Sequence, residues 1–112
     1  MSYKELIKTV SGNLRDLKQG NPELMKGFGA LSAAATKGGA LDEKTKELLA
    51  LAIAIAIRCD DCIAFHTQAS IGLGMTKEEL EELVGVAVMM GGGPSLMYGS
   101  HAIAAFKEFS EA

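Results

Sequence analysis

The sequence predicts an all-α fold, and three observations predict it. Apolar residues make up 48% of the 112-residue chain while aromatics supply only 5%. The core must therefore come from Ala, Leu, Ile, Val and Met, largely a helix-former's set. Apolar positions recur at three- and four-residue spacing, the period of an amphipathic helix. Glycines, prolines and capping residues cut the chain into helix-length segments, with no repeats, low-complexity tails or linkers between them. Residues 1–112 thus read as one compact domain of about six helices. A domain of this size buries only about two-thirds of the surface its unfolded chain exposes, so association with further copies would help it.

Each element has a local cause. Tyr3, Leu6, Ile7, Val10, Leu14 and Leu17 form the stripe of a first helix, weakened at Gly12 and ended at Gly20. Asn21-Pro22 starts a second, an N-cap followed by proline at the first helical position. Leu24, Met25, Phe28 and Leu31 line one face of it, and Gly38-Gly39 closes it. Asp42 is a suitable N-cap for a third helix, whose second half, residues 48–57, is apolar all round, as in a central helix or one at a subunit interface. The Ala-Ile alternation there also fits a strand, but the polar start is continuous with it and alanine is a poor strand former. Asp60 or Asp61 is expected to cap a fourth helix, running through Ile63, His66 and Ala69 to Gly72. Thr76 and Glu79 have capping-box spacing ahead of a fifth, with Leu80, Leu83, Val84, Ala87 and Val88, which stops at Gly91-Gly92-Gly93. Pro94 opens the last helix, which carries Met97, His101, Ile103 and Phe106.

Charge and hydropathy remove whole function classes. The net charge is −3, with 11 basic and 14 acidic residues spread along the chain. There is no basic stripe to track phosphates, so no nucleic-acid partner is expected. Residues 48–57 are the longest apolar run, about half the ~20 residues of a membrane span, so no membrane association is expected. The first ten residues lack the apolar core of a secretory signal, which points to the cytoplasm. Structural disulfides are rare there, so a C-x-x-C pair is expected to be redox-active or metal-binding.

The chemistry-bearing residues are Cys59, Cys62 and His66. At 3.6 residues per turn they share one side of a helix, with Cys62 and His66 in adjacent turns and Cys59 about 10 Å from His66 along the axis. A thiol activated by this histidine would be Cys62, and a helix N-terminus would favour its thiolate further. Cys59 would be the resolving partner. Asp60 and Asp61 oppose activation, because carboxylates disfavour a nearby thiolate.

The stretch Glu47–x11–Cys59–Asp60–Asp61–Cys62–x3–His66, on helices of this length, resembles the alkylhydroperoxidase D-like group of the carboxymuconolactone decarboxylase superfamily, from about Asn21 to the C-terminus. The resemblance implies a homo-oligomer, trimer or hexamer, and a C-x-x-C that cycles between dithiol and disulfide in antioxidant chemistry. It makes Cys62 the attacking thiol, forming a sulfenic acid if the substrate is a peroxide. Cys59 resolves the intermediate, His66 relays the proton and Glu47 accepts it. Glu47 enters only through the resemblance; by composition it belongs to a polar helix start. The substrate would be a peroxide or a disulfide, the reductant a dithiol or protein of lipoyl type or a peroxiredoxin, with no metal or organic cofactor. One departure matters: the peroxidase that names the group has a histidine between its cysteines, where this chain has Asp61. General disulfide exchange is therefore the safer expectation than peroxidase turnover.

Three rival readings remain. Lactone decarboxylation, the reaction of other superfamily members, has no use for two thiols. Zinc could take Cys59, Cys62, His66 and either His101 or Glu47, although no second ligand pair stands at fixed spacing. A non-catalytic oligomer could bury the cysteines as small apolar residues. His101 is expected to be a packing residue, and Met89, Met90 and Met97 to lie in the core or at a subunit interface. Gly91-Gly92-Gly93 lacks the strand and lysine of a phosphate loop and reads as a helix–helix turn.

Overall fold

Local capping chemistry sets most helix boundaries. In the computed structural model, which describes residues 2–111, six α-helices follow one another: α1 Tyr3–Gly20, α2 Pro22–Thr36, α3 Glu43–Ala56, α4 Asp60–Gly72, α5 Lys77–Gly91 and α6 Gly93–Ser110. There is no strand among the described residues. The side chain of Asn21 accepts from the Leu24 amide at 3.3 Å, and that of Asp42 from the Thr45 amide at 2.7 Å. Thr76 and Glu79 form the reciprocal capping box that their spacing implies. Residues 48–57 are helical until the C-cap at Ile57, not extended.

Two expected boundaries move. Helix α2 ends at Thr36 with Lys37 as its cap, so Gly38-Gly39 belongs to the turn that follows. Helix α4 is capped by Cys59, not by Asp60 or Asp61, which become its first two residues. A thiol is not among the usual capping groups, so the carboxylates seemed the natural choice. Only the approach of the chain from α3 puts sulfur in that place.

Helices α3, α4, α6 and α5 pack as a ring of four around the core, each against its two neighbours, with α3 and α6 also touching across it. Leu51 and Ile55 from α3, Ile63 and Ala64 from α4, Leu80 and Leu83 from α5, and Ala102 and Ala105 from α6 are buried there. Each large aliphatic so buried contributes about 1.5–3 kcal/mol. The small residues bring the axes together: a Cβ at Gly99 would lie 2.7 Å from a methyl of Val84, so α5 and α6 touch where only glycine fits. Gly92, at φ 73°, makes the turn between these two helices in the left-handed region that glycine tolerates.

Helix α1 lies across α4 and α6 and buries Tyr3. Its N-terminus is capped from far along the chain. Glu108 of α6 accepts from the Tyr3 and Lys4 amides, both at 2.9 Å, and from the Ser2 hydroxyl at 2.7 Å. Helix α2 buries no residue at all. Its apolar face is real but points away from the core, with Phe28 63% and Leu31 64% exposed. Met89, Met90 and Met97 are likewise exposed and take no part in the core.

Three carboxylates sit below their ordinary range because hydrogen bonds favour their charged form. The causes are Thr45 for Asp42, the Thr76 amide and then Lys44 for Glu79, and the Lys4 and Tyr3 amides and then Ser2 for Glu108. A depressed folded-state pKa stabilises the fold fully above the ordinary carboxylate value of about 4, and that contribution is lost as pH falls through the folded value. Melting temperature measured between about pH 6 and pH 3 should therefore fall with acid, and Glu108→Gln should lower it at neutral pH while flattening that acid dependence.

Candidate active site

The site is built where the chain turns from α3 into α4. Arg58 takes φ 61°, which reverses the backbone between the two helices. Cys59 follows in extended conformation as the N-cap of α4, and its sulfur accepts from the Cys62 amide at 3.2 Å. The two cysteines are joined as a disulfide, with Cα atoms 5.2 Å apart. Cys62 lies within the first turn of α4, where helix-terminal amides favour negative charge on sulfur. The expectation that all three residues lie within one helix needs this correction: Cys59 stands at the cap, while Cys62 and His66 are on α4.

Packing of α3 on α4 brings Glu47 to His66, with Oε2 2.7 Å from Nδ1. A carboxylate only accepts, so the His66 Nδ1–H donates and Nε2 is left for another partner. Glu47 is nearly enclosed, at 12% side-chain exposure, whereas His66 keeps 36%. The carboxylate thus holds the ring in place while the ring stays accessible. Cys62 and His66 share a surface recess of about 270 Å³ with Ala50, Ile53, Ala54 and Ile57. Neither lysine nor arginine lines it, which leaves no fixed cation for a carboxylated ring. Cys59 does not line the recess; of the two sulfur-bearing residues only Cys62 borders it.

His101 falls elsewhere. It neither lines the recess nor acts simply as packing: its Nδ1–H donates to Oδ1 of Asp60 at 2.7 Å, and its ring leans on Tyr98 with centroids 4.8 Å apart. The structure thus brings Glu47, Cys62 and His66 together and places His101 on another side of the helix start. Asp61 is exposed. Among the described residues no group of three or more His, Cys, Asp or Glu side chains is arranged to hold a metal ion, so the zinc set of Cys59, Cys62, His66 and His101 is not assembled. The Asp60–His101 pair was not foreseen. Its partners are 41 residues apart, and the only signal was a lone histidine on the last helix.

Six helices in this order form an all-helical domain whose backbone superposes on several solved proteins. The chain belongs to the carboxymuconolactone decarboxylase family, whose sequence profile matches residues 22–108. It is 42% identical over 103 residues to an uncharacterized protein of Cupriavidus necator, covering 92% of this chain and 91% of that one. Identity to uncharacterized protein 4 in the cox locus of Paracoccus denitrificans is 31%, with coverage of 92% and 93%. Among solved structures, apo-lpg0406, a carboxymuconolactone decarboxylase family protein from Legionella pneumophila, superposes with a TM-score of 0.95 at 51% identity over 97% of both chains. A family member from Thermotoga maritima with a possible involvement in antioxidative response superposes at 0.81, with 29% identity over 91% of this chain and 87% of that one.

The turn at Arg58 should be sensitive to backbone preference, since a branched side chain is strained at positive φ. Arg58→Val is expected to destabilise the fold by about 1–2 kcal/mol in chemical denaturation, and Arg58→Gly to leave stability equal or higher.

Proposed function

We propose that the chain is a thiol–disulfide oxidoreductase of the alkylhydroperoxidase D-like type, working as a homo-oligomer. One observation carries this reading: the Cys59–Cys62 disulfide opens a helix whose next turn presents His66, held by Glu47, in the same recess as Cys62. In the reduced state His66 takes the Cys62 proton, and Glu47 stabilises the charge that the ring acquires. The thiolate attacks a disulfide substrate, forming a mixed disulfide and releasing one thiol; Cys59 then attacks Cys62, releasing the second thiol and closing the intramolecular disulfide. With a hydroperoxide, the thiolate takes the terminal oxygen as sulfenic acid and the alkoxide leaves with a proton as alcohol. Cys59 then expels water. Either way the substrate gains two electrons, and an external dithiol restores the pair by the reverse exchange. The histidine between the cysteines of the naming peroxidase is replaced by Asp61, which favours disulfide exchange over rapid peroxide turnover.

The oligomer is supported by the unpartnered apolar faces. Leu24, Phe28 and Leu31 of α2, with Ile53 of α3 and Met89 and Met90 of α5, are each more than half exposed. Exposed apolar faces of this kind mark association sites. A trimer or hexamer with a cytoplasmic location fits the family resemblance.

Equilibration in glutathione or dithiothreitol buffers, with thiols counted by mass, tests the redox reading. A reversible two-electron transition at roughly −200 to −300 mV is expected; thiols that never interconvert would sink the cycle. Cys62→Ser should abolish turnover, Cys59→Ser should accumulate mixed disulfides, and His66→Ala should slow thiol attack about a hundredfold. Phe28→Glu should reduce the mass measured by light scattering to that of a smaller assembly without changing helicity. An unaltered mass would take α2 out of the interface.

A further inference from the structure

The start of α4 carries a second carboxylate–histidine pair that the proposed cycle does not use. Asp60, the residue after Cys59 and the first of α4, accepts at 2.7 Å from His101 of α6. Both side chains are about a third exposed or less buried than the core, with 27% and 36% of their surface open. The titratable groups around them are Tyr3 from α1, Tyr98 from α6 and Asp61 and Arg58 beside Asp60 in the chain; Glu47 and His66 lie on the recess side. Burial raises the Tyr3 phenol, and the negative charges of Asp60 and then Glu108 raise it further.

We propose that the Asp60–His101 pair is a charge-compensating device that sets the redox poise of the cysteines, with His101 a positioning residue acting through Asp60. The inference rests on the redox reading above. A carboxylate beside Cys59 opposes thiolate formation in the reduced pair. Drawn onto a protonated imidazole from the neighbouring helix, the same carboxylate becomes half of a nearly neutral pair, and the thiolate is spared its repulsion. The pair also ties the start of α4 to α6. These two effects make opposite forecasts for the two partners. Each single substitution weakens the same charge-assisted hydrogen bond, so a purely structural link predicts changes of the same sign. A charge device predicts opposite signs: losing His101 leaves an uncompensated anion, whereas losing Asp60 leaves an uncompensated imidazolium cation.

The reaction to follow is protein disulfide plus two glutathione thiols giving protein dithiol plus glutathione disulfide, in the unaltered chain and in His101→Gln and Asp60→Asn. His101→Gln should shift this equilibrium towards disulfide by about three- to tenfold, the tenfold limit being about 30 mV for a two-electron couple, and should raise the Cys62 pKa read from alkylation rate against pH. Asp60→Asn should shift both quantities the other way. Shifts of the same sign, or none in His101→Gln, overturn the inference while leaving the redox reading in place. Absence of any reversible transition in the unaltered chain overturns both. If either variant fails to fold, the two histidines of the unaltered chain are titrated by NMR. Reciprocal coupling requires a higher His101 pKa in the reduced than in the oxidised protein, and equal values overturn the proposal.

Discussion

Cys59 accepts the amide hydrogen of Cys62 and is bonded to its sulfur, so the start of α4 and the cysteine pair are one object. The other features of the site depend on where that helix start is held. Helix α4 lies between α3 and α6, anchored through Ile63, Ala64 and Thr67, all fully buried. With its axis so fixed, its first turn can only face a recess on one side and α6 on the other. The positive-φ residue Arg58 makes the reversal that delivers the cysteine to the cap.

Two carboxylate–histidine pairs flank this point with their roles exchanged. On the α3 side the histidine belongs to α4 and the carboxylate to its neighbour; on the α6 side the carboxylate belongs to α4 and the histidine to its neighbour. The first pair aims a ring into the recess beside Cys62. The second engages Asp60, the residue that follows Cys59 in the chain. Helix packing thus places one carboxylate–histidine pair on each side of the same helix start.

The apolar surface is arranged around the same helices. Ile53 lines the recess beside His66 and also a cleft with Leu49, Val86 and Met90 on the outer face of α3 and α5. A partner seated on that cleft would adjoin the recess. Helix α2, with no buried residue, contributes little to the core of its own chain and offers its apolar stripe outwards. Its contacts with α1 and α3 hold it in place, and the stripe accounts for apolar residues that a 112-residue monomer has no interior to hide.

The sequence by itself determined whatever short-range chemistry controls. Asn21-Pro22, Asp42 and the Thr76–Glu79 box mark helix starts because a cap acts across three residues, and the helical repeat puts Cys62 next to His66 because both lie on one helix. The family likeness was legible in the same spacing, and through it Glu47. Tertiary structure alone decided the rest. Glu47 reaches His66 only because α3 packs on α4. His101 reaches Asp60 only because α6 packs on the other side, and Glu108 caps α1 from the far end of the chain. That the periodic stripe of α2 faces outwards was not legible, since spacing reports that a face is apolar and not what covers it. The cap of α4 was misplaced for the same reason: two aspartates are better caps than a cysteine in isolation, but the path of the chain out of α3 brings the sulfur, and not the carboxylates, to the free amides.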